Sequence, residues 1–255
     1  LTDGDVVVRE MTVTGSGYTF TSVANQIGGI AKGGTDNLAA YNAQGRLIIA
    51  AGVTDTTFDT AVSFAQISIS GEAAFNDVTT GDLNVLSGGV LAGTGTITGA
   101  VDIASGGTLS PAGNDIGAIA FSGSVTLHRG AALVVAFAVS DIDAIGVNGS
   151  GRLTFEEGST IYVTLDSGLL TGTAFSREFI TGSVSFGGEF SDIPPEVVVL
   201  SGGDGWHFEV QYTSDTKRGV TLNGILIPEP STYGLFGLGL MAALAAVRRR
   251  RRRQA

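Results

Sequence analysis

Short runs of alternating apolar and polar residues, punctuated by glycine, occupy most of the chain. Val6-Val7-Val8-Arg9-Glu10-Met11-Thr12-Val13-Thr14 and Thr19-Phe20 flank Gly15-Ser16-Gly17, the pattern of strand, turn and strand. Gly28-Gly29 and Gly33-Gly34 bracket Asp36-Asn37-Leu38-Ala39-Ala40, which reads as a short helix. Arg46-Leu47-Ile48-Ile49-Ala50 and Ala65-Gln66-Ile67-Ser68-Ile69 predict two further strands, with a polar turn over residues 53–59 between them. From Gly71 a unit recurs in which glycine and small residues lead into a large apolar one: Gly71-Glu72-Ala73-Ala74-Phe75, Gly88-Gly89-Val90-Leu91, Gly106-Gly107-Thr108-Leu109 and Gly130-Ala131-Ala132-Leu133. The leading glycines are 17, 18 and 24 residues apart. A unit that short cannot bury its own apolar side chains and must stack on its neighbours. The period suits rungs of a parallel β-helix with glycine at the corners, where positive φ is needed; a sandwich with glycine-rich hairpins is the alternative.

After residue 131 the pattern changes. Ala132-Leu133-Val134-Val135-Ala136-Phe137-Ala138-Val139 is continuously apolar and predicts a strand buried on both faces. Further strands are expected at Thr160-Ile161-Tyr162-Val163-Thr164-Leu165, Glu178-Phe179-Ile180-Thr181, and over residues 196–200, 206–212 and 220–227. The last stretch differs from everything before it. Pro228-Glu229-Pro230 cannot continue a helix, because proline lacks an N–H and biases its predecessor towards an extended form. Residues 231–247 carry no charge and would span about 25 Å as a helix, slightly less than a hydrocarbon core of about 30 Å. Six arginines follow, Arg248, Arg249, Arg250, Arg251, Arg252 and Arg253, and would stay on the cytoplasmic side.

Triplet, uncharged run and basic end together resemble the PEP-CTERM sorting signal of Gram-negative bacteria. The resemblance implies recognition at Pro228, Glu229 and Pro230 by an exosortase, a membrane-embedded processing enzyme, then release or attachment of the body at the cell surface. An ordinary C-terminal anchor behind a proline pair is the plainer alternative. A second resemblance lies in the body. Residues 83–137, and above all Gly106-Gly107-Thr108-Leu109-Ser110-Pro111-Ala112-Gly113-Asn114-Asp115-Ile116-Gly117, are similar to the autotransporter-associated β-strand repeat of surface-protein passengers. Ala112 is inserted between the proline and glycine of that pattern, which loosens the match at this corner. The resemblance implies an all-β chain: a right-handed parallel β-helix with a β-rich C-terminal cap, followed by a short transmembrane helix. The expected divisions are 1–70, an N-terminal β-rich part; 71–137, the repeat; 138–227, the cap; and 228–255, the sorting signal.

Composition agrees with many tight turns: 39 of 255 residues are glycine and 5 are proline. Setting aside the six tail arginines and Glu229 takes the formal charge from −10 to −15 for the body. So acidic a surface argues against nucleic acid and anionic lipid as partners and permits cations and neutral or basic polymers. With no cysteine, stability must come from the core and the strand ladders. Leu1 is not an initiator, and no basic region with an apolar stretch opens the chain, so the sequence reads as a fragment or processed product.

Candidates for chemistry are few. His128 and His207 fall on different strands and read as surface or edge positions; no nucleophile elbow, metalloprotease His pair or phosphate loop is present. Glu156 and Glu157, taken as strand neighbours, point to opposite faces and cannot act as an acid/base pair. Asp141 and Asp143 share a face and could contribute to a Ca²⁺ site, with solvated turn carboxylates the plainer reading. No catalytic residue, metal site or cofactor is assigned. The expectation is a non-enzymatic surface protein, structural or adhesive in the envelope or an extracellular polysaccharide matrix, with an exosortase and the membrane (through residues 231–247) as partners. The alternative is a β-helix polysaccharide lyase or hydrolase, which would need acidic and basic side chains stacked on one face of successive rungs.

Overall fold

The computed structural model describes residues 10–21, 45–59, 61–113, 116–170, 174–186, 195–201, 205–213 and 218–226. The helix expected around Asp36 lies outside the described residues. So does the tail, with Pro228, Glu229, Pro230, the membrane segment 231–247 and Arg248 to Arg253. Among the described residues the chain is mostly strand and turn, with a 3-10 turn at Ser167–Leu169 as the one helical element, and no helix there is long and apolar enough to cross a membrane.

The opening strands alternate between two sheets: β1 (Glu10–Val13), β2 (Thr19–Thr21), β3 (Arg46–Ile49), β4 (Thr56–Asp59), β5 (Val62–Ile69), β6 (Glu72–Phe75), β7 (Val78–Val85) and β8 (Val90–Gly93). The middle of the chain supplies β9 (Thr96–Ile97), β10 (Val101–Ile103), β11 (Thr108–Pro111), β12 (Ala118–Phe121), β13 (Val125–Leu127), β14 (Ala132–Phe137), β15 (Ala144–Val147), β16 (Leu153–Phe155) and β17 (Thr160–Leu165). The last four are β18 (Ala174–Phe186), β19 (Glu196–Ser201), β20 (Trp206–Tyr212) and β21 (Arg218–Leu226).

One sheet has eight strands in the order β2-β4-β6-β8-β11-β14-β17-β19, every pair parallel. The other has thirteen. Its two halves, β10-β13-β16 and β9-β12-β15, both run from β7 to β18: β7 pairs with β9 near its start and β10 near its end, and β18 pairs with β15 at its middle and β16 at its end. Successive visits to one sheet thus lay parallel strands side by side, without helical crossovers among the described residues. Among the described residues antiparallel pairing, which a sandwich would need throughout, is confined to β18, β20 and β21, apart from one isolated bridge between Phe137 and Ile142.

Tight glycine corners make such short returns possible. Gly88, Gly106, Gly130 and Gly158 all have φ between 77° and 85°, a left-handed conformation that a side chain disfavours. Their backbones also hydrogen-bond in a ladder: Gly88 N–H donates to Gly106 (2.8 Å), Gly106 to Gly130 (2.9 Å) and Gly130 to Gly158 (2.9 Å). Gly158 continues the glycine series beyond Gly130, the last leading glycine of the repeat in the sequence.

In-register pairing stacks like side chains. Met11, Leu47, Ile67, Leu83, Val101, Val125, Leu153 and Val184 form one file, and Val13, Ile49, Ile69, Val85, Ile103, Leu127, Phe155 and Phe186 a second. Leu91, Leu109, Leu133 and Ile161 form a third, and Ile97 pairs with Phe121 on the remaining side; all are buried. Phe20, Phe58 and Phe75 stack at 4.7 and 4.8 Å with interplanar angles of 9° and 8°. That separation is the strand spacing itself, so each ring gains full contact with the next. Beyond the last parallel strands Phe175, Phe179, Phe186 and Phe208 close the core, with Tyr212 stacked on Phe186 at 4.5 Å and accepting its N–H at 2.8 Å.

Two local expectations are corrected. The polar turn at 53–59 contains β4: Thr56 and Phe58 face inward, and threonine, polar but β-branched, suits a strand. The apolar run 132–139 is not buried on both faces. Its strand ends at Phe137, and Leu133, Val135 and Phe137 are buried while Ala132, Val134 and Ala136 are only half-buried.

Candidate functional site

Two positions before the corner glycine stand Leu86 and Ala104 in the first two units of the ladder, and a polar residue in the next two. For Gly130 it is His128, and for Gly158 it is Glu156, so the ladder brings the two onto adjacent levels. His128 Nδ1 lies 3.0 Å from Glu156 Oε1, and His128 Nε2 lies 3.5 Å from Oδ1 of Asp102 on β10. The other Glu156 oxygen accepts the Arg129 N–H at 3.1 Å. The result is an imidazole held between carboxylates from the levels before and after its own. Side-chain exposures of 42–56% leave the cluster in contact with water. Glu156 and Glu157 follow β16 rather than lying within it, and Glu157 is exposed in the turn.

Asp143 behaves differently from the solvated carboxylate expected. It is 2% exposed, and its two oxygens accept the N–H of Gly117 (2.9 Å) and of Ala136 (2.7 Å). Burial pushes its pKa from 3.8 up to about 6, against the pull of those two amides and with a smaller push from Asp141. Asp143 therefore ties the β12 entrance to the β14 exit. Asp141 is exposed and accepts the Ile142 N–H at 2.9 Å. The proposed sharing of a Ca²⁺ by this pair is not what the geometry offers, since both Asp143 oxygens are occupied by amides. Among the described residues no three His, Asp or Glu side chains are arranged to hold a metal ion.

His207 is exposed on β20, an edge strand, and belongs to no cluster with His128. The corner at Pro111 is closed despite the inserted Ala112. Ala112 adopts φ 55°, its N–H donates to Gly93 at 3.1 Å, and Gly113 N–H donates to Ser110 at 3.1 Å. The sequence reading passed over Asp102, and it treated His128 and Glu156 separately. Their spacing was the available signal: the 28 residues from His128 to Glu156 equal the 28 from Gly130 to Gly158, one full return of the chain.

The residues assigned to sorting begin where the described structure stops. β21 stays paired to its end, with Leu226 opposite Trp206 and Ile225 opposite both His207 and Ala174. Only Ile227 lies between Leu226 and Pro228.

Residues 226–252 match the PEP-CTERM protein-sorting motif, which takes in Pro228, Glu229, Pro230, the uncharged run and all but the last of the arginines. The motif marks the chain as a secreted, membrane-associated precursor of Gram-negative bacteria that is sorted by an exosortase. No curated protein matches the chain.

Proposed function

We propose that the chain is a surface-displayed β-solenoid, a right-handed parallel β-helix of the autotransporter-associated kind. Its role is structural or adhesive, in the cell envelope or an extracellular polysaccharide matrix. The observation that carries this reading is the conjunction of the sorting motif with parallel strands that stack like residues in file, level upon level. Such a body is rigid, resists proteolysis through its ladders and offers long polar outer faces, properties that suit a scaffold outside the cell. Its charge of −15 favours neutral or basic polymers over anionic ones.

One observation favours a second reading. A carbohydrate-active β-helix needs acidic and basic side chains on one face of successive levels, and Asp102, His128 and Glu156 meet that requirement. Against it, the imidazole is engaged on both nitrogens and the cluster stands in water, where charge is screened rather than focused. The purified body, incubated with neutral and acidic polysaccharides, should co-sediment with at least one of them and release no new reducing ends. Release of sugar that Glu156→Gln abolishes would overturn the scaffold reading in favour of the enzyme.

A further inference from the structure

The rim at the end of β21, next to the sorting motif in the sequence, carries exposed apolar side chains. Six large apolar side chains stand out as exposed among the described residues, and three of them, Leu200 (58%), Ile225 (56%) and Leu226 (37%), lie on the last strands. On β21 the inward positions Val220 and Leu222 are buried, and the outward face reads Thr221, Asn223 and then Ile225. At the end nearest the tail Ile225 on this face, with His207 opposite it, and Leu226 on the other face are both exposed, so it is the strand end rather than one face that is apolar. Trp206, half-buried and stacked on Phe208 with centroids 6.2 Å apart, faces Leu226 across the ladder. Leu200 is the penultimate residue of β19, which lies against β20.

Chain length fixes what this rim can meet. Five residue steps join Leu226 to Ser231, the first residue of the uncharged run, and at full extension they reach at most about 18 Å. If 231–247 is in a bilayer, the rim stays within about 18 Å of the lipid surface. Tryptophan and aliphatic residues are the side chains that gain from the headgroup boundary. The acidic body cannot be drawn down by anionic lipid, so apolar contact must do the work.

From this we infer that Trp206, Ile225 and Leu226 form an interfacial foot. In the precursor it rests on the zwitterionic lipid surface and sets the body against the membrane. The inference rests on the reading of 231–247 as the membrane segment.

Trp206 is the chain's single tryptophan, which makes it a clean reporter. The full chain would be reconstituted into phosphatidylcholine vesicles, either plain or brominated near the glycerol end of the acyl chains. Flotation tests the membrane segment, and quenching of Trp206 tests the foot. The expected result is flotation together with a fall in emission of roughly half in the brominated vesicles, as for an indole about 5–10 Å into the boundary. The double variant Ile225→Ser, Leu226→Ser should float but lose most of the quenching, while Leu86→Ser, at an exposed leucine away from the rim, should keep it. Flotation with unquenched Trp206 overturns the foot and leaves the membrane segment standing. Failure to float overturns both. Emission that shifts with protein concentration and ignores bromine assigns the rim to a second copy of the chain, which also overturns the foot.

Discussion

Burial decides the chemistry of Asp143, whose carboxyl is held at about 6 rather than 3.8. The sign of its effect on stability follows from linkage. The folded chain binds this proton more tightly than the unfolded chain, so the contribution is fully present below the unfolded value near 4 and is lost as pH rises through 6. The melting temperature should therefore fall between pH 4 and pH 7 more steeply in the parent than in Asp143→Asn, which has no proton to lose. The variant should also be less stable overall, because its NH₂ faces one of the two amide donors. Parallel melting curves against pH for the two proteins would contradict this account of Asp143. The residue was half legible in the sequence. Asp143 shares strand parity with Ile145 and Val147, both buried, and that parity is the mark of an inward carboxylate. The pattern Asp-x-Asp drew attention to a cation instead, because one-dimensional spacing does not tell whether amides already occupy the oxygens.

Corner glycines decide whether one level can lie against the next. The Cα of Gly99 packs on the carbonyl oxygen of Gly81, that of Gly123 on Gly99, and that of Gly151 on Gly123, so a Cβ at any of them would run into backbone. Gly146, in β15, is different: its Cβ would meet only side-chain atoms, at 3.9 and 4.0 Å. Gly99→Ala should cost about 1–3 kcal/mol as the levels are forced apart, and Gly146→Ala should be neutral or slightly stabilising. Thermal melts compare them directly, and equal melting points would sink the close-packed corner. At this scale the sequence was most informative where glycine and leucine recur together, as in Gly88-Gly89-Val90-Leu91 and Gly106-Gly107-Thr108-Leu109, whose leucines pair in register. It was least informative where threonine replaces aliphatic residues. β4 hid in a polar stretch because Thr56 faces inward and only Phe58 announces the strand.

Considered whole, the chain is an acidic body of parallel strands, closed at its C-terminal end by the antiparallel β18, β20 and β21, with a sorting motif that starts at the last residue of β21. Periodicity anticipated the parallel sheets, and the tail was legible outright because its three parts come in a fixed order. The Asp102–His128–Glu156 cluster was not, since it exists only once the levels are laid in register. The central claim is that the tail directs the body across the membrane and is then removed. Intact mass spectrometry of protein extracted from the cell surface tests it most directly. The account predicts a mature chain that retains β21 and lacks Arg248 to Arg253, and a larger, membrane-bound form when Pro228-Glu229-Pro230 is replaced by alanines. Surface protein whose mass still includes the six arginines would contradict it.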